Sequence, residues 1–258
     1  MDLGIKGKNA LITACTSGIG RAVAESLAKE GANLFLCARR ENILKEMSEK
    51  FQKQYKVNSS YKKTDLSKKE DIESLLKSAK DVDLLFVNAG GPKAGEFDTV
   101  SDEDWYDTFE LNMMSAVRLI RGVLPGMKKR GFGRIVVLAS ISVKQVMDNL
   151  ILSNSIRMGI TAMIKSVSKE VASFGITVNG VAPGWTRTSR VDNLLKVKAT
   201  NAGKTVEDIE SQLVKDIPMK RMARPEEIAD VVVFLFSNQA SYLTGVTINV
   251  DGGYCKNY

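Results

Sequence analysis

The sequence predicts a doubly wound α/β fold with a parallel sheet, on three observations. Its short strand-like runs are mostly apolar without polar alternation, which marks strands buried on both faces. Longer amphipathic segments of helical length alternate with those runs, and right-handed crossovers then place helices on both sides of the sheet in three layers. Glycines gather directly after the first run, where a strand must turn sharply into a helix. The chain has 258 residues, 44 % hydrophobic and 26 % charged, and no Pro/Gly/Ser-rich linker divides it. One domain over residues 1–258 is expected.

Taken in order, Asn9–Thr13 (NALIT) reads as a strand and Gly18–Lys29 as a helix. Asn33–Ala38 (NLFLCA) and Glu41–Tyr55 repeat the pair. A weaker strand falls at Ser59–Lys63, then a helix at 68–78 and a strand at 82–87 (VDLLFV). Residues 102–129 read as one long helix, with Ser101 as its cap and Asp104 as the capping partner. A strand at 134–139 (RIVVLA) leads to a second long helix at 154–174, a strand at 176–181, a helix at Pro225–Phe236 and a last strand at 246–250. Residues 188–220 fit the alternation poorly. Their polar, charged character suggests an insertion, a mobile cover over a site, with Leu194, Leu195, Val197, Leu213 and Ile217 available to line a pocket.

Composition narrows the chemistry. There is no histidine, and Cys15, Cys37 and Cys255 form no CxxC pair, so no metal site is expected. Three unpaired cysteines suit a reducing compartment, and the first residues lack the apolar run of a signal peptide. No stretch is apolar enough to span a bilayer. A cytoplasmic protein is expected. The net charge is +7. Without aromatics interleaved along a basic stripe, this reads as a solvated surface and not as a nucleic-acid interface.

The loop from Thr13 through Ala14, Cys15, Thr16, Ser17, Gly18 and Ile19 to Gly20 joins the first strand to the first helix. Glycines there let the backbone approach a pyrophosphate, and the helix start offers free N–H groups to phosphates. The next strand ends in Cys37-Ala38-Arg39-Arg40. An acid at that place selects NAD through the ribose hydroxyls, whereas an arginine accommodates a 2′-phosphate. NADP(H) is therefore expected over NAD(H), with Arg39 as first choice for the phosphate and Arg40 as second.

These segments, with others further on, resemble the short-chain dehydrogenase/reductase family. Residues 13–20 resemble its TGxxxGxG fingerprint, with Ala14 in place of the first glycine, a change tolerable if its φ is negative. Thr64-Asp65-Leu66 is similar to the family's adenine-contacting segment, and Asn88-Ala89-Gly90 to its NAG motif beneath the nicotinamide ribose. Asn112 matches the family's helix-borne asparagine and Ser140 its catalytic serine. Pro183-Gly184 with Thr186 and Thr188 resembles the PGxxxT segment around the nicotinamide. Residues 244–253 resemble the closing strand. The resemblance spans residues 13–253. It implies a seven-stranded parallel sheet of the Rossmann type, an NADP(H)-dependent oxidoreductase acting on a small carbonyl or hydroxyl compound, and a homotetramer or homodimer packed through the two long helices.

The family also implies a tyrosine thirteen residues beyond the serine and a lysine four residues after it. Here those positions hold Ser153 and Arg157. The tyrosines Tyr55, Tyr61, Tyr106, Tyr242, Tyr254 and Tyr258 all lie elsewhere, and none is followed by lysine at that spacing. The run Ser153-Asn154-Ser155-Ile156-Arg157 resembles a 3-oxoacyl-(acyl-carrier-protein) reductase-like subgroup that lacks the usual pair. A phenol titrates near pKa 10 and can be tuned by a neighbouring cation; an aliphatic hydroxyl is a far weaker acid. Three readings stay open. Ser140 and Ser153 can polarise a carbonyl while a water held near Asn112 delivers the proton. Lys144 or Asp148 can enter from the loop after Ser140. Alternatively, the site is a non-catalytic NADP(H)-binding sensor or regulatory module. By resemblance, the substrates to consider are 3-oxoacyl thioesters, sugars and small ketones.

Overall fold

The computed structural model describes residues 2–256, so Tyr258 of the sequence reading lies outside the described residues. Seven parallel strands form one sheet: β1 (Asn9–Thr13), β2 (Asn33–Ala38), β3 (Ser59–Lys63), β4 (Leu84–Val87), β5 (Gly133–Leu138), β6 (Ile176–Pro183) and β7 (Thr247–Val250). Their spatial order is β3-β2-β1-β4-β5-β6-β7. The chain direction across the sheet reverses between β1 and β4, in register at Ala10–Leu84 and Ile12–Phe86. In open α/β sheets, the carboxyl ends of the strands at such a switch point form a ligand crevice.

Among the described residues nine α-helices complete the frame: α1 (Gly18–Lys29), α2 (Glu41–Tyr55), α3 (Lys69–Ser78), α4 (Asp102–Thr108), α5 (Ser115–Arg130), α6 (Ile151–Val171), α7 (Ser189–Ala202), α8 (Val206–Lys215) and α9 (Pro225–Phe236). One core lies between the sheet and α1, α2 and α9, around Leu27, Leu36, Phe86 and Phe236. The other lies between the sheet and α3, α5 and α6, around Leu75, Leu119, Ile135 and Ile164. The three layers follow, because apolar strands need cover on both faces.

Two expectations change in detail. The helix at 102–129 is interrupted: a π-helical turn, Phe109–Met114, separates α4 from α5. Apolar periodicity does not reveal that turn, because both flanking helices keep their faces. The capping box of Ser101 and Asp104 is present as expected. Residues 188–220, which the sequence reading leaves outside the strand–helix alternation as an insertion, hold two helices. Thr188 caps α7 by accepting from the Val191 N–H, and Thr205 with Asp208 forms a second capping box that starts α8.

Candidate functional site

A cavity of about 660 Å³ opens along the carboxyl ends of the strands, from the end of β2 to the start of α7. Its floor at one end is the β1–α1 turn. Ser17 stands at the N-cap of α1 without a side-chain cap, and the first turn holds no acid, so the helix start faces the cavity with its N–H groups uncommitted by side chains. Thr16, Gly18 and Ile19 line it with Ser17. Gly18 has φ +54 and Ala14 φ +47. The negative φ that would make the alanine easy to tolerate is therefore not adopted. The turn imposes the left-handed region that the missing glycine accommodates at less cost, and a Cβ there is disfavoured by about 1–2 kcal/mol.

Arg39 and Arg40 line the same end. Arg40 braces the turn, donating through Nη2 to the Thr16 carbonyl at 3.2 Å and to Thr16 Oγ1 at 3.0 Å. Arg39 is exposed, and its charge helps hold the Asp65 carboxyl below its usual range, after two hydrogen bonds from Ser67. Asp65 and Leu66 form the facing wall, and Asn88, Ala89 and Gly90 the next stretch. Asn88 ties this loop to the turn: its side chain donates to the Ala14 carbonyl at 3.3 Å, and Thr13 Oγ1 donates to the Asn88 carbonyl at 2.6 Å.

Some predicted cofactor residues sit behind the wall. Thr13 and Cys15 are fully buried and do not line the cavity. Burial pushes the Cys15 thiol up to about 12, and its Sγ turns toward the Cys37 carbonyl. Gly20 is needed for closeness: a Cβ there falls 2.5 Å from the Ala14 carbonyl oxygen and 2.8 Å from Asn88 Nδ2. At the far end Pro183, Gly184, Thr186 and Thr188 line the cavity, the first two continuing β6 into the loop before α7.

Between these ends lie the predicted chemical residues. Ser140 follows β5, and its Oγ accepts the Ser142 backbone N–H at 3.1 Å. Ser153 is buried in the first turn of α6, its Oγ 3.4 Å from that of Ser142. Sequence reasoning missed Ser142, whose only signal was its place two residues beyond Ser140. Arg157, one turn further along α6, is buried and donates through Nη1 to the carbonyls of Leu138 at 2.7 Å and Ala139 at 3.1 Å. Burial lowers its pKa to about 10, with a smaller push from Arg190. It remains a cation at neutral pH.

Asn112 lies in the π-helical turn, behind Gly90, to whose carbonyl its Nδ2 donates at 2.9 Å. Its Oδ1 is buried with no hydrogen-bond partner among the described residues. Lys144 and Asp148 are exposed and do not line the cavity. The loop after Ser140 instead forms a 3₁₀ turn, Ile141–Val143. Of the pocket residues expected from 188–220, Leu194 lines the cavity, while Leu195 and Ile217 are buried elsewhere and Val197 is exposed. Arg190, not expected, lines it too. Among the described residues there is no cluster suited to a metal ion and no helix long and apolar enough to cross a membrane.

Comparison with known proteins agrees with this geometry. The enoyl-(acyl carrier protein) reductase family matches residues 13–255. The uncharacterized oxidoreductase YvaG of Bacillus subtilis is 33 % identical, with 99 % of each chain covered. The 3-oxoacyl-(acyl-carrier-protein) reductase FabG of Escherichia coli is 34 % identical over 97 % of this chain and 98 % of its own. L-sorbose reductase from Gluconobacter frateurii, solved with NADPH and L-sorbose, superimposes with a TM-score of 0.95 at 34 % identity, each chain fully covered. Actinorhodin polyketide ketoreductase with NADPH gives a TM-score of 0.92 at 31 % identity over 97 % of this chain and 98 % of that one. Sheet order, switch-point cavity and end-to-end similarity together establish that the chain belongs to the short-chain dehydrogenase/reductase family of oxidoreductases.

Proposed function

We propose that the chain is an NADP(H)-dependent reductase that interconverts a carbonyl and an alcohol, in the manner of 3-oxoacyl reductases, without a tyrosine acid. The observation that carries the proposal is the single cavity joining an uncapped helix start and two arginines at one end to Ser140, Ser153 and Arg157 near the other. These residues fit a dinucleotide. The α1 start suits a pyrophosphate, and the turn is kept close by the absence of a Cβ at Gly20. Arg39 and Arg40 supply positive charge for a 2′-phosphate, Asp65 and Leu66 a wall for adenine, and Asn88 to Gly90 a bed for the second ribose. The cofactor's chemistry, when bound, is hydride transfer.

The protein's part is positioning, polarisation and proton supply. Because Ser140 Oγ accepts from the Ser142 N–H, its own hydrogen is left to donate to a substrate oxygen. Ser153 extends the hydroxyl pair into the space where the family places a ring. Arg157, held against two strand-end carbonyls, keeps a fixed positive charge where an alkoxide develops, and preorganised charge in a sheltered site lowers the barrier without reorganisation. Asn112 Oδ1 can hold a water that delivers the proton. A missing matched acid removes roughly 10²–10⁴-fold of rate, so slow turnover is the expected regime.

Relatives that bind NADPH and reduce sugars or polyketides support a small-molecule substrate and an NADP(H) preference. Tyr106, Phe109 and Met158 are exposed on the two long helical stretches, which supports assembly through those faces into a homodimer or homotetramer. Three free cysteines support a cytoplasmic location. The test of cofactor choice is Arg39→Ala. It should weaken NADPH binding at least about tenfold, the loss of one charge-assisted contact, and leave NADH nearly unchanged. Equal losses for both dinucleotides contradict the assignment.

A further inference from the structure

Beside Arg157, the substrate end of the cavity carries a second cation, Arg190, that hydride transfer to a neutral ketone does not require. Arg190 reaches from the first turn of α7 across to the loop after β4, where Nη1 donates to the Gly91 carbonyl at 3.1 Å and Nη2 to the Pro92 carbonyl at 2.6 Å. Its guanidinium rests on Gly91 so closely that a Cβ there would fall 2.3 Å from it. A cation in the first turn of a helix is disfavoured by the helix dipole, so α7 gains nothing electrostatically from carrying it. Arg157 faces the same cavity from α6, and the two positive charges repel each other. Among the described residues neither takes part in an ion pair, whereas Arg187 on the same segment pairs with Glu210. Among the described residues Asp65 is the one acid lining the cavity, and it stands beside Arg39 at the opposite end.

Both guanidiniums hold onto backbone carbonyls by one edge. Among the described residues only Nη1 of Arg157 and the two terminal nitrogens of Arg190 donate, so further N–H groups remain for an acceptor. Two uncompensated cations in one cleft favour an oxyanion. We propose that Arg190, supported by Arg157, receives an anionic group of the carbonyl substrate, a carboxylate or a phosphate, so that the enzyme acts on oxo acids or phosphorylated carbonyl compounds in preference to neutral ketones. This rests on the reductase reading for the carbonyl, but the anion site itself is testable by binding alone.

The experiment uses matched probes: acetoacetate against methyl acetoacetate, and dihydroxyacetone phosphate against dihydroxyacetone. Each is titrated calorimetrically into the full-length protein saturated with NADP⁺, and each is then assayed for NADPH oxidation. At least one anionic member should bind about tenfold or more tighter than its neutral partner, as expected for a charge-assisted contact. Arg190→Gln should abolish that preference with NADP⁺ affinity unchanged, Arg190→Lys should keep part of it, and Gly91→Ala, which displaces the guanidinium from its seat, should reduce it. Equal binding of both members, or binding of neither in both pairs, overturns the proposal. So does a fall in NADP⁺ affinity in Arg190→Gln, which assigns the arginine to the cofactor's phosphates. Anion-selective binding that Arg190→Gln removes, without NADPH oxidation by any probe, upholds the anion site and counts against the reductase reading.

Discussion

Ala14 shows at the scale of one residue how the chain departs from its family and tolerates the departure. The first glycine of the fingerprint serves a backbone that turns through positive φ, and Ala14 occupies that region at φ +47. Its carbonyl is nonetheless used, accepting from Asn88. The strain is local, and neighbouring bonds hold it in place. Ala14→Gly should therefore raise stability by up to about 1 kcal/mol, since removing the Cβ relieves more than the added chain entropy costs. A higher urea midpoint with unchanged slope checks this; a lower midpoint means that the methyl packs better than the strain suggests. The sequence showed that the glycine was absent but not the sign of φ, because that sign belongs to the three-dimensional path of the turn.

At the scale of elements, α6 holds the departure that matters for chemistry. It brings Ser153 and Arg157 onto one face, spaced by four residues as helix geometry requires. The guanidinium is fixed to the end of β5, while the hydroxyl remains beside Ser142. No group here resembles a tunable phenol, and the chain holds no histidine. Arg157 has its pKa lowered to about 10 by burial, so its protonated form persists at neutral pH and disappears only as pH rises through that value. The profile of log kcat/KM should accordingly be level from about pH 6 to pH 9 and fall above it, without an ascending limb near neutrality. An inflection near pH 7 contradicts this arrangement and points to an acid outside it.

The elements were legible to different degrees, for physical reasons. From β1 to β3 the sequence boundaries coincide with the structure, because apolar runs and amphipathic faces are set locally. The π-helical turn at Phe109–Met114 was not legible. It inserts a change of hydrogen-bond register that leaves the buried face of α5 intact, yet it is what carries Asn112 beneath Gly90. The helices α7 and α8 were not legible within the segment read as an insertion, because their many exposed polar positions resemble a loop when only apolar periodicity is weighed. Arg190 was hidden for the same reason: in a charged segment nothing distinguishes one arginine until its path across to Gly91 is known.

Across the whole molecule, one sheet sets the site and two helical faces set the surface. The switch between β1 and β4 opens the cavity, and the candidate residues lie on strand ends, in the first two turns of helices and in the loops joining them, with Asn112 in the π-helical turn behind. The same frame leaves Tyr106 and Phe109 exposed on one long stretch and Met158 on the other. Light scattering after size exclusion should give a mass two or four times that of the 28.3 kDa chain, and Phe109→Asp should shift it toward the single chain. A monomer at micromolar concentration contradicts assembly through these faces.

The claim that joins these scales is that a cavity without tyrosine still reduces a carbonyl. The measurement that tests it most directly is NADPH oxidation by the pure protein across a broad carbonyl panel, with NADPH binding followed in the same sample and Ser140→Ala run beside it. The account predicts slow turnover with at least one carbonyl, lowered about 10²-fold or more in Ser140→Ala at unchanged NADPH affinity. Tight NADPH binding with no turnover across the panel, or turnover indifferent to Ser140, contradicts it, and the former result makes the chain a cofactor-binding module.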